Sequence, residues 1–113
     1  VGMVPLADML SLIERARIAA IREKSVAPTS FAIDLIDELI PNARLASPRD
    51  VARRGSHITV DHPNSARAVQ ALWGEGVIPD FRHPSGVRIG LSPLSTTFAE
   101  VERGVRSLAA ALA

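Results

Sequence analysis

The chain has 113 residues, 47% of them apolar and 22% charged, which is enough for one hydrophobic core in a single domain but not for two. Thirteen basic residues against twelve acidic ones leave a net charge of +1, and aromatic residues make up only 4%. These values argue against a nucleic-acid-binding protein with a basic stripe or a base-stacking surface, and the lack of cysteine excludes disulfides, thiolate metal sites and a cysteine nucleophile.

The amino-terminal third of the chain predicts helices. Pro5 suits the first turn of a helix, and apolar residues then recur at steps of three and four as far as Lys24. Pro28 disfavours helical geometry at the residue before it, so we expect residues 1–27 to form a long leading helix and residues 28–40 a second one. The pattern leaves open whether these are two helices or one kinked rod. No signal peptide or membrane-spanning run is visible, and we expect a cytoplasmic protein.

The middle of the chain predicts two strands separated by a basic loop. A short strand is expected over 43–47, and the alternation of apolar and polar residues over 56–61 indicates another. The loop between them holds Arg49, Arg53 and Arg54. Three close arginines could bind a phosphate, but basic loops are usually solvated, and a solvated loop is the simpler expectation.

The remainder predicts a helix, a hairpin and a final helix. Pro63 suits the first turn of a helix whose apolar stripe includes Trp73, which we therefore expect in the core. Residues 77–82 and the strand that starts at Val87 should form a hairpin. The last helix should begin near Thr97, which has capping-box spacing to Glu100.

The order of the predicted elements is helix, helix, strand, strand, helix, strand, strand, helix. This order implies an α+β fold in one domain over residues 1–113, with a small, mostly antiparallel sheet of three to four strands and helices packed on one face. The other face of the sheet would be free to cover a cleft or a partner domain.

Arg88 is the candidate binding residue. At the two-residue period of a strand, Val87, Ile89 and Leu91 point one way, and Arg88 points the other way together with the small residues Gly90 and Ser92. A guanidinium with no bulky neighbour on a rigid strand can hold a carboxylate or phosphate with two parallel hydrogen bonds. Arginines on strands are more often solvated or paired with a neighbouring acid, and the pattern leaves these alternatives open.

Other catalytic chemistry is not evident in the sequence. His57, His62 and His83 lack the spacing of metal ligands, and we expect them to be solvated or in turns. The chain has no nucleophile elbow, glycine-rich phosphate loop or paired-carboxylate motif, and its single lysine is Lys24. No catalytic residue, cofactor-binding residue or metal ligand is therefore predicted within this chain.

Several short runs nevertheless resemble successive landmarks in the carboxy-terminal part of kynureninases. They occur in the order of that family and cover nearly the whole chain from about residue 12. In chain order the runs are Arg22-Glu23-Lys24-Ser25, Ser47-Pro48-Arg49-Asp50, Arg53-Arg54-Gly55-Ser56-His57, Gly76-Val77-Ile78-Pro79-Asp80-Phe81-Arg82 and Val87-Arg88-Ile89-Gly90-Leu91-Ser92-Pro93-Leu94.

The resemblance implies the small domain of a pyridoxal-phosphate enzyme with the aspartate-aminotransferase fold, a hydrolase of tryptophan catabolism that converts kynurenine to anthranilate and alanine. By this resemblance Arg88 binds the α-carboxylate of the substrate. The Schiff-base lysine and the phosphate-binding residues of the family lie in a large domain, and Lys24 does not match that lysine. The resemblance therefore implies pyridoxal phosphate in the complete enzyme, none in this chain alone, and no activity of the isolated chain.

Two functional hypotheses follow. In the first, the chain works with the large cofactor-binding domain of the same enzyme and a small amino-acid substrate. In the second, it is a non-enzymatic relic or regulatory module that binds a carboxylate ligand or a protein partner. In either case, apolar surface left uncovered would favour a homodimer.

Overall fold

A computed structural model describes residues 3–113, which form four α-helices, a short 3₁₀ turn and four strands. In chain order the elements are α1 (Met3–Ala16), α2 (Ile18–Leu39), β1 (Arg44–Leu45), the 3₁₀ turn (Val51–Arg53), β2 (His57–Asp61), α3 (Ser65–Gly74), β3 (Asp80–Arg82), β4 (Gly86–Gly90) and α4 (Phe98–Leu112). Within the described residues no helix is both long and apolar enough to cross a membrane.

The interruption predicted at Pro28 lies at Arg17 instead. Arg17 has a φ of 69°, in the left-handed region, and separates α1 from α2, whereas α2 continues through Pro28. A proline inside a helix costs about 3 kcal/mol. Burying an isoleucine or leucine returns about 1.5–3 kcal/mol, and Ile33, Leu35 and Ile36 are all buried on the same helix. Packing therefore outweighs the local preference of proline. The first two residues of the predicted 1–27 helix lie outside the described part of the chain.

The four strands form one antiparallel sheet in the order β1-β2-β4-β3. Ile58 pairs with Ile89 and Val60 with Val87 across β2 and β4, and this side of the sheet packs on the helices. The buried apolar side chains of α2, α3, α4 and these strands form one core. The predicted two-layer α+β fold, with a small antiparallel sheet and helices on one face, is confirmed.

A capping box holds the start of α4, as its spacing predicts. The hydroxyl of Thr97 accepts from the backbone N–H of Glu100 at 3.1 Å, and Glu100 Oε1 accepts from the backbone N–H of Thr97 at 3.0 Å. These hydrogen bonds, first from the Thr97 backbone and then from its side chain, lower the pKa of Glu100 below its ordinary value of 4.5. The box therefore fixes where the last helix begins.

We expect Thr97→Ala to lower the free energy of unfolding of the chain by about 1 kcal/mol, the usual effect of losing a helix cap. Urea unfolding at pH 7 measures the difference. Because the pKa of Glu100 is depressed in the folded state, its contribution is complete above the ordinary value of 4.5 and is lost as the pH falls through the folded value. The difference between the two proteins should therefore shrink in acid, and a difference that grew in acid would contradict this account of the cap.

Candidate functional site

The face of the sheet turned away from the helices is polar. Arg88 on β4 lies directly opposite Thr59 on β2 and Asp80 on β3, so these three side chains share this face. Arg82 lies two residues after Asp80 and therefore points to the same side. We call Asp80, Arg82 and Arg88 the open-face cluster.

The guanidinium of Arg88 is both paired and accessible. Its Nη2 donates to Asp80 Oδ2 at 2.7 Å, and Nη2 of Arg82 meets the same oxygen at 3.0 Å. The side chain of Arg88 keeps 36% of its surface exposed, and those of Asp80 and Arg82 each keep 52%. Pairing with a neighbouring acid, one of the alternatives left open by the sequence, thus occurs without burying the guanidinium.

Glycine on both sides of Arg88 keeps the strand open beside it. A Cβ at Gly86 would lie 3.1 Å from both the carbonyl oxygen of Arg82 and Cγ2 of Thr59, so a side chain here would be crowded and its neighbours would have to shift. A Cβ at Gly90 would meet nothing within 4 Å. Gly86 therefore permits the close approach of β3 to β4 that brings Asp80 to Arg88, whereas Gly90, two positions further along the same face, has open space at its Cβ position.

We expect Gly86→Ala to destabilise the chain by about 1–3 kcal/mol, because the added methyl group overpacks the hairpin. Gly90→Ala on the same strand is the matched control, and an open surface site should change stability by no more than about 0.5 kcal/mol. Urea unfolding of both variants tests the pair. Equal destabilisation of the two would show that space at Gly86 is not the constraint.

The basic loop that holds Arg49, Arg53 and Arg54 is only partly solvated. Arg54 is buried, with 6% of its surface exposed, and donates to the hydroxyls of Thr29 and Ser30 at 3.3 and 3.0 Å and to the carbonyl of Arg49 at 2.9 Å. Arg49 forms two hydrogen bonds of 2.8 Å with Asp37, and this contact lowers the pKa of the Asp37 carboxyl. The expectation of a solvated loop is therefore wrong for Arg54, which joins the loop to α2.

We expect Arg54→Ala to cost about 1–3 kcal/mol of folding stability, because the buried hydroxyl of Thr29, the half-buried hydroxyl of Ser30 and a carbonyl lose their charged donor. Arg53→Ala, one residue earlier and exposed, is the control and should have an effect within about 0.5 kcal/mol. Urea unfolding of the two variants provides the comparison. If Arg54→Ala were as mild as Arg53→Ala, the structural role of Arg54 would be refuted.

The histidines and Trp73 occupy places that the sequence predicts only in part. His57 and His83 are exposed, but His62 is buried in its turn, where Nδ1 accepts from the backbone N–H of Asn64 at 3.0 Å. Trp73 is 51% exposed rather than in the core, and its Nε1 donates to the carbonyl of Pro79 at 2.9 Å. Across residues 3–113, no group of three or more histidine, aspartate or glutamate side chains is placed to hold a metal ion.

Lys24 lies apart from the open-face cluster. Its Nζ is 4.7 Å from the centre of the Phe98 ring, a cation–π contact between α2 and the start of α4. Phe98 in turn packs edge-on against Phe31, with 5.5 Å between ring centres. Lys24, a residue of α2, therefore contacts α4 and not the open face of the sheet.

A sheet covered by helices on one side only, with a partly exposed arginine on the other, defines a two-layer α+β domain with one open, polar face. Residues 21–108 match the sequence profile of the family described as Kynureninase C-terminal domain, and the chain belongs to that family.

Curated relatives agree with this assignment. The chain is 39% identical to a kynureninase of Pseudomonas fluorescens over 101 residues, which are 88% of this chain and 24% of that protein. It is 38% identical to a kynureninase of Bacillus cereus over 92% of this chain and 25% of the relative, and 37% identical to one of Shouchella clausii over 95% and 25%. The chain thus spans about a quarter of the length of the curated relatives that it matches.

Proposed function

We propose that the chain is the substrate-carboxylate-binding small domain of a kynureninase-like, pyridoxal-phosphate-dependent hydrolase that converts kynurenine to anthranilate and alanine. The observation that supports this role for Arg88 is its accessible side chain on the open face of the sheet, which it shares with Gly90, a position without a side chain. Membership of the kynureninase C-terminal domain family supports the choice of reaction.

Binding of the substrate carboxylate is the step that this chain would perform. Of the five N–H donors of Arg88, the hydrogen bonds within the described residues use one, on Nη2 toward Asp80. The other edge of the planar guanidinium can then hold a carboxylate with two parallel hydrogen bonds. Held at that end, the amino acid presents a defined bond at its Cα to the reaction centre, because two hydrogen bonds fix orientation as well as position.

The cofactor is assigned to the rest of the complete enzyme. Pyridoxal phosphate, when bound, supplies the electron sink for chemistry at the Cα of an amino acid. Two basic residues of the described part of the chain are already engaged elsewhere: Lys24 lies against the ring of Phe98, and the donors of Arg54 are taken by α2 and its own loop. The role of the chain is therefore to hold the substrate, and the reaction belongs to the complete protein.

The exposed face of α1 supports a larger assembly. Leu6 and Leu10 are each 51% exposed, and Met9 and Leu12 of the same helix are also exposed. A contiguous apolar surface on a soluble protein usually marks an interface. In the proposed enzyme this surface packs against the remainder of the protein, including its large cofactor-binding domain. The same surface would serve a homodimer or a module that binds a protein partner, so the choice of the enzymatic hypothesis rests on family membership.

Replacement of the guanidinium tests the proposed role. In a complete enzyme that carries this chain, we expect Arg88→Ala to lower kcat/KM for kynurenine by about tenfold to a hundredfold, because a charge-assisted hydrogen bond of about 1.5–3 kcal/mol is lost. Steady-state kinetics provide the measurement, with the loss mainly in KM. Arg88→Lys should recover only part of the activity, because lysine keeps the charge but not the fork.

Arg67→Ala, which removes an exposed arginine from α3, is the control for a general loss of positive charge and should leave the kinetics unchanged. Wild-type kinetics in a correctly folded Arg88→Ala enzyme would refute the carboxylate-binding role.

A further inference from the structure

The open-face cluster contains more positive than negative charge. One carboxylate oxygen, Asp80 Oδ2, is shared by Nη2 of Arg88 at 2.7 Å and Nη2 of Arg82 at 3.0 Å. We propose that Arg82 is a positioning residue: by sharing Asp80, it prevents this acid from neutralising Arg88 and so keeps Arg88 open to the carboxylate of an amino-acid substrate. This inference rests on the proposed function of Arg88.

The register of the hairpin brings both arginines within reach of Asp80. Asp80 lies opposite Arg88, and Arg82 lies opposite Gly86, so the two arginines approach the acid from neighbouring strands on one face. Because Gly86 has no side chain, the Arg82 side chain opposite it can occupy the space above that position. Arg82 can therefore reach Asp80 without displacing Arg88.

The charges on the rest of this face do not cancel the excess. Arg44 on β1 pairs with Asp61 on β2, and this pair is neutral by itself. The strand positions of the open face thus hold three arginines and two aspartates, with His57 opposite Gly90 as the other titratable side chain. The unbalanced positive charge lies at Asp80, Arg82 and Arg88.

The effect on a ligand follows from ordinary electrostatics. If Asp80 were paired with Arg88 alone, the pair would be neutral, and an incoming carboxylate would meet the repulsion of Asp80 at close range. With Arg82 on the same oxygen, the three groups carry a net charge of +1, and the repulsion is compensated. Because the cluster is partly exposed, solvent screens the effect, and it should appear as a change of a few fold rather than as a complete loss.

Arg82→Gln in the complete enzyme is the direct test. We expect KM for kynurenine to rise about threefold to fivefold, the size of a screened surface charge, while kcat changes by less than about twofold. Adding Asp80→Asn to the Arg82→Gln variant should restore KM to near the wild-type value, because the double variant no longer carries the uncompensated acid. Arg82→Lys should stay near wild type, since it keeps the charge that the proposal requires.

Arg106→Gln is the matched control, because it makes the same chemical change in an exposed ion pair on α4, where Nε of Arg106 lies 3.1 Å from Glu102. It should leave KM unchanged. A purely structural role for Arg82 would not be rescued by removing Asp80 as well, so failure of the double variant to recover would overturn the inference. An unchanged KM in Arg82→Gln would do the same.

Arg88→Ala, measured in the same enzyme, distinguishes failure of the role of Arg82 from failure of the proposed carboxylate site. If it raises KM and Arg82→Gln does not, the carboxylate site stands and the role of Arg82 is wrong. If Arg88→Ala leaves KM unchanged in a folded enzyme, the proposed function itself fails, and the inference falls with it.

Discussion

The alternation of side chains along β4 is the constraint on which the rest of the molecule depends. Val87 and its neighbours on one side of the strand are buried against the helices, and Arg88 on the other side is left at the surface. A shift of one residue in register would exchange the two sides, burying a charge and exposing the core, so the hydrophobic face fixes the position of the arginine. The same strand, β4, thus supplies core residues on one side and the candidate binding residue on the other.

The sequence predicts the parts of the structure that depend on local periodicity. Strand alternation correctly places Arg88 away from the core, and the spacing of Thr97 and Glu100 correctly predicts the capping box of α4. The membership of the chain in the kynureninase C-terminal domain family was also visible in the sequence, because its short runs carry that resemblance. The role of Arg88 in binding a substrate remains a proposal.

The features that the sequence does not predict depend on contacts between distant residues. Arg54 is buried because hydroxyls 24 and 25 residues earlier in the chain receive its N–H groups, which no loop pattern reveals. Pro28 stays inside α2 because the buried side chains that follow it outweigh its local cost, and the chain turns at Arg17 instead. Trp73 lies on the apolar stripe of α3, but it is near the end of the helix, where its indole bonds to the carbonyl of Pro79.

The energetics of the two faces of the sheet explain why chemistry can be placed on one of them. Apolar burial on the helix side supplies the stability of the domain, whereas exposed ion pairs such as Asp80 with Arg88 contribute little to it. Fold stability therefore does not account for two guanidiniums gathered around one carboxylate oxygen at 2.7 and 3.0 Å. With two arginines and one aspartate, the cluster leaves positive charge in excess at the surface of the sheet. The open face is the part of this domain that is free to be shaped by a ligand, because the core does not require its side chains.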